Sequence, residues 1–168
     1  MLKHHRLIAC AVAIAASATV AVTGLTVASA SPAASGTQHF QLMSTSATSS
    51  NAKIIAYGAA FTGSGVDHEG NGNVDKFVFK NGSFKVRHSN GKGPQTFNPK
   101  TCLLQINQKG TYTIVAGSGT GKFTGIHGHG TYHLQIVGIG AKKNGKCSQK
   151  LPPVAFQQII RASGPAHL

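Results

Sequence analysis

Three carboxylates serve the whole 168-residue chain, against sixteen Lys and Arg residues. Asp67, Glu69 and Asp75 all fall in one short stretch, "VDHEGNGNVD". Clustered acids can hold a cation or trade protons. Asp67, Glu69, Asn71 and Gly72 imitate the opening of an EF-hand loop, in which alternate oxygens wrap calcium. The twelfth position, however, is Val78, where a bidentate Glu is required. Calcium held by Asp67, Glu69, Asn71 and Asp75 is therefore a partial match, and a polar Gly/Asn connection on a basic surface is the simpler alternative. His68, beside two acids, suits acid-base work, but the sequence supplies no convergent partner for it.

A second set is His127, His129 and His133. Their odd spacing places all three on one face of a strand, with Thr131 and Gln135. Imidazole is the usual nitrogen ligand of zinc and copper, so the row is a candidate site for either metal. The opposite face carries Tyr132, Leu134 and Ile136, which read as core. That turns the histidines toward water and favours a plain solvated face.

The glycine run "GSGTGKF" is no phosphate cradle. A P-loop needs Gly five residues before Gly121 and Ser or Thr after Lys122, and the chain has Ala116 and Phe123 there. No helical pattern follows, which removes the dinucleotide fingerprint as well. No Ser/His/Asp or Cys/His set offers a nucleophile.

The formal charge of +13 favours polyanionic neighbours such as wall polymers, anionic head groups or nucleic acid. A basic strip of Lys76, Lys80, Lys85 and Arg87 is the candidate contact, extended by Lys142, Lys143 and Lys146; a solvated face is the alternative. Exposed aromatics that would stack on bases are not evident, so specific nucleic-acid recognition is not expected.

The elements that must position these residues read as follows. Lys3 to Arg6, an apolar run from Leu7 to about Val27, and small residues at Ala28 and Ala30 make a secretory signal peptide over 1–30, cleaved near Ala30. The mature chain, with no transmembrane segment, is expected to be secreted. Residues 31–52 form a Ser/Ala/Thr-rich linker with a possible first strand at 38–43. From 53 to 168, short β-rich runs alternate with Gly/Asn/Lys turns and no helical period competes, which marks an all-β domain.

One hairpin is read around Asn81-Gly82 as a two-residue turn. It pairs Phe79 with Phe84, Phe77 with Val86 and Lys76 with Arg87, so the phenylalanines face the core and the basic strip faces out. A second hairpin is expected to join "TCLLQIN" to "TYTIVAG" through Gln108-Lys109-Gly110. Near the end, Val154, Phe156 and Ile160 share one face of a final strand. About eight strands are counted, and a small closed antiparallel barrel is the economical fold because closure leaves no exposed edge; a β-sandwich is the alternative. Cys102 and Cys147, an even pair in an exported chain, read as a disulfide worth roughly 3 to 4 kcal/mol, with two free thiols as the alternative.

The stretches "FVFKNGSFKVRHS", "NPKTC", "KGTYTIVAGSGTGKFTGIHGHGTYHL" and "PPVAFQQIIRASGP" together resemble small secreted actinobacterial proteins of the allene oxide cyclase and dirigent-like barrel family. "GSGTGKF" is most similar to the "GTGKF" turn of dirigent proteins. The resemblance covers most of residues 54–165 and implies an eight-stranded barrel with an apolar cavity. No functional residue is carried over from it.

Three roles are thus expected. The first is a non-catalytic binding module for a small apolar ligand or an envelope polyanion. The second is an isomerase or cyclase using the barrel cavity, and the third is zinc or copper capture on the histidine row. Two or more polar residues converging inside a cavity of ligand size would favour the enzyme; a lumen filled by Phe, Leu and Ile would remove both ligand readings.

Overall fold

The computed structural model describes residues 34–168, so the leader read at 1–30 lies outside the described residues. In chain order the strands are β1 (Ser35–Ser44), β2 (Asn51–Gly58), β3 (Gly63–His68), β4 (Val74–Phe79), β5 (Gly82–His88) and β6 (Gln95–Asn98). They continue with β7 (Leu103–Ile114), β8 (His127–Ile139), β9 (Lys142–Lys143), β10 (Lys146–Cys147) and β11 (Ala155–His167). Eight of them close an antiparallel barrel in the order β5-β4-β3-β2-β1-β11-β8-β7, with β7 returning to β5. The short β6 borders β7 outside this ring, and β9 pairs with β10 in a separate ribbon. Among the described residues no helix is long and apolar enough to cross a membrane.

The strand expected at 38–43 extends over Ser35–Ser44 and sits in the wall between β2 and β11, leaving residues 45–50 as a loop. The wall follows the two-residue alternation: Gln38, Phe40 and Leu42 of β1 are buried, as are Ala52, Ile54 and Ala56 of β2. Two expected turns are corrected. Gln108-Lys109-Gly110 does not turn, because β7 runs through it and pairs with β8 from Leu103 to Thr113. Gly110 is there for room: a Cβ would strike the ring of Tyr132, its partner on β8. The β4–β5 turn is centred on Lys80-Asn81, so Phe77 pairs with Phe84 and Lys76 with Lys85, a register displaced from the expected one. Each strand keeps its own alternation, so the same faces point in and out. Val154 is also corrected, since it precedes β11 and is largely exposed.

One end of the barrel is plugged. The loop between β7 and β8 carries the 3₁₀ turn Gly121–Phe123, and it buries Phe123 and Ile126. Phe123 meets Phe61 of the β2–β3 loop at 4.8 Å between ring centroids and also packs on Phe79 and Phe84. Gln38, fully buried, fixes that β2–β3 loop: its Nε2 donates to the Phe61 carbonyl at 2.9 Å, and its Oε1 accepts from the Ala60 and Phe61 amides. Every polar atom of its amide is thereby used, which is what permits an amide in an apolar core. The disulfide expected from the sequence is present toward the other end, joining Cys102 to Cys147 with Cα atoms 5.3 Å apart.

Candidate functional site

At the unplugged end the inward residues are no longer phenylalanines alone: aliphatic and polar side chains join them. A cavity of about 440 Å³ opens there, walled by Phe40, Leu42, Phe77, Leu134, Ile136 and Ile160, among others. An eight-stranded barrel is just wide enough to be filled by side chains or to hold one small ligand, and this one does each in one half. Ala47 and Phe156 also line a neighbouring hollow of about 300 Å³ that reaches β6.

A polar row crosses the apolar wall. Asp67 points inward from β3 and is paired with Phe77; Asp75 lies two residues from that partner on β4. Asp75 is paired with Val86, and His88 lies two residues beyond it on β5. His88 is in direct register with Tyr112 on β7, and Tyr132 of β8 sits diagonally across from Tyr112. Diagonal neighbours on one face of a sheet lie within reach of long side chains. The row therefore runs obliquely around the wall, all of it facing the cavity.

Its electrostatics follow from burial. Asp67 is only 7% exposed, and its Oδ1 has no hydrogen-bond partner. Burial above all, with the nearby charges of Asp75 and Glu69, pushes its carboxyl up to about 7. Asp75 is raised by burial too, but a 3.3 Å hydrogen bond from the Gly70 amide and a 3.3 Å contact with His88 Nε2 oppose that rise. The other ring nitrogen of His88 lies 3.2 Å from the Ser89 carbonyl. Burial alone pushes the Tyr112 phenol up to about 12, and its hydroxyl also lacks a partner. Tyr132 is raised by burial, with a hydrogen bond from the Ser89 side chain opposing the rise; its hydroxyl donates to the Ser89 carbonyl at 2.7 Å.

The four residues of the calcium-like loop are thus split. Asp67, Glu69 and Asp75 border one cavity, while Asn71 is exposed and outside it. Asp67 and Asp75 belong to strands, which corrects the view of all three acids as part of one polar connection. The histidine row does lie on the outer face of β8, opposite the inward Tyr132, Leu134 and Ile136. It does not converge: His127 stacks on His167, while His133 bonds to Asn107 and stands between Lys109 and Arg161 on the flanking strands. His129 and His133 are four residues apart along a strand, or about 13 Å. Among the described residues no group of three or more His, Cys, Asp or Glu side chains could hold a metal ion. Lys76, Lys85 and Arg87 are exposed on the outer wall, and Lys80 is exposed in the β4–β5 turn.

His88, Tyr112 and Tyr132 are site residues that the sequence patterns above do not single out. The signal was available in the hairpin itself. Continuing the inward series Phe79, Phe77 by one more step reaches Asp75, and continuing Phe84, Val86 reaches His88. No family model, curated protein or solved structure matches the chain.

Proposed function

We propose that the protein is a small-molecule-binding barrel whose open end takes a ligand with an apolar body and a hydrogen-bonding head group. One observation carries this reading: a hollow of about 440 Å³ in which Asp67 Oδ1 and Tyr112 Oη are buried without a protein partner. A buried polar group left unpaired costs about 1–3 kcal/mol, so such groups are few in folded proteins. Two of them at the wall of one ligand-sized cavity are suited to meet the donors and acceptors of a guest, while Leu42, Leu134 and Ile160 supply apolar contact.

A second reading, an isomerase or cyclase working in the same cavity, is favoured by Asp67. A carboxyl whose pKa is about 7 gives and takes protons readily near neutrality. The resemblance to allene oxide cyclase and dirigent-like barrels supports either reading and selects neither. The leader pattern in residues 1–30 and the Cys102–Cys147 bond support work outside the cell. The exposed basic strip is the candidate contact for an envelope polyanion, a surface role compatible with an occupied barrel.

Titration with Nile red, a neutral apolar dye, tests the pocket. Saturable binding of one dye per chain is expected, and Leu134→Trp, which fills the hollow, is expected to weaken it roughly tenfold or more. Dye binding that never saturates, or that ignores the substitution, overturns the proposal.

A further inference from the structure

The charge of the cavity is opposite to that of the molecule. All three acidic side chains of the chain border it, and among the described residues no Lys or Arg does. The titratable groups facing it are Asp67 and Glu69 from β3 and the loop after it, Asp75 from β4, His88 from β5, Tyr112 from β7 and Tyr132 from β8. His88 is the one basic side chain among them, and it is already matched by Asp75. Asp67 has no such partner although it is 7% exposed and directed at the cavity.

From this arrangement we propose that the open end selects a cation: a small amphiphilic amine whose ammonium group lies against Asp67 and whose apolar body runs inward between Phe40, Leu134 and Ile160. The inference rests on the ligand-binding reading above. A ligand carrying a carboxylate or phosphate would bring a further negative charge among three acids, with no Lys or Arg among the described lining residues to receive it. A neutral ligand would leave the ionised Asp67 desolvated and uncompensated. An ammonium donates to Asp67 Oδ1, supplies the missing charge, and keeps the apolar wall for its hydrocarbon. Tyr112, whose hydroxyl is also unpartnered, remains available to a second polar atom of the ligand.

Three probes of one shape separate the possibilities: 4-phenylbutylamine, 4-phenylbutan-1-ol and 4-phenylbutanoate, each titrated calorimetrically into the purified protein at about pH 8. The amine is expected to bind roughly tenfold or more tightly than the alcohol, with the carboxylate weakest. Asp67→Asn is expected to remove the amine's advantage over the alcohol. A measurement on the unaltered protein guards against a variant that does not fold. The amine keeps its charge across this range, with a pKa near the ~10.4 of lysine, so the ratio of amine to alcohol affinity is expected to rise between about pH 5.5 and about pH 8 as Asp67 loses its proton. An alcohol or carboxylate that binds as well as the amine, or a ratio that does not rise, overturns the cation proposal and leaves the pocket standing. Failure of all three probes to bind overturns both.

Discussion

Asp67 makes the folded protein bind a proton that the unfolded chain would release. An ordinary aspartate ionises near 3.8, whereas Asp67 in the barrel does so at about 7. Between those values the folded state carries the extra proton, so stability falls as pH rises through the window and is level above it. Comparison with Asp67→Asn isolates the share of Asp67 from that of the rest of the molecule. The variant is expected to be more stable than the parent at about pH 8, by roughly 2–4 kcal/mol, and to differ little at about pH 4. Urea denaturation at the two pH values checks this; a variant equally stable at both would show that Asp67 is solvated in the folded state.

At the scale of the element, the glycine loop after β7 explains both a feature and an error of the sequence reading. Gly82, expected as a turn residue, has φ +146° and lies where a Cβ would strike the Thr120 carbonyl. Thr120 and Lys122 donate their amides to the Ser83 and Asn81 carbonyls, so the loop docks directly onto the β4–β5 corner. Gly82 is needed for that approach, and the turn centre falls one residue earlier. Gly82→Ala is expected to cost about 2–3 kcal/mol and to loosen the Phe123 plug. Gly117→Ala, in the same loop at φ +69° with no heavy atom within 4 Å, is expected to cost only about 1 kcal/mol. Thermal unfolding of the pair tests the distinction, and equal losses would exclude docking as the cause.

The alternation of Phe77, Phe79, Phe84 and Val86 was legible without the structure because side-chain direction is a property of each strand alone. Register was not, since it depends on a loop some forty residues away. The run "TCLLQINQKGTYTIV" reads as two strands broken at Gln108-Lys109-Gly110 because a glycine that makes room for Tyr132 looks identical, in sequence, to one that turns the chain. The outward histidines followed from parity. The cavity did not, because it comes from what small inward residues such as Ala52 and Ala162 fail to fill once eight strands have closed. The convergence of Asp67 with His88 and Tyr112 required the order of strands around the ring.

Across the whole molecule, the two halves of the barrel are held by different means. The plugged half has the phenylalanine cluster and the buried amide of Gln38. The open half has the hollow, and there the bond between Cys102 and Cys147 spans 45 residues. On chain entropy alone such a closure stabilises by about 4 kcal/mol. Reduction, or Cys147→Ser, is expected to lower the denaturant midpoint accordingly and to weaken dye binding while the far-ultraviolet dichroism stays β-like. An unchanged midpoint under reducing conditions would mean that the link is energetically idle.

The place of β1 between β2 and β11 has a kinetic meaning. Ser35 pairs with His167, so one of the earliest described residues waits for one of the last, 132 positions later, before the ring can close. Proteins dominated by such distant pairings fold in milliseconds to seconds, because loop-closure entropy is lost before the contacts repay it. Until β11 arrives, β1 presents an unpaired edge, and an incomplete chain is an open sheet ready to join another. The interval between synthesis of the first strand and arrival of the last is therefore when this protein is most exposed to aggregation, and a chaperone that covers residues 35–44 would protect it most.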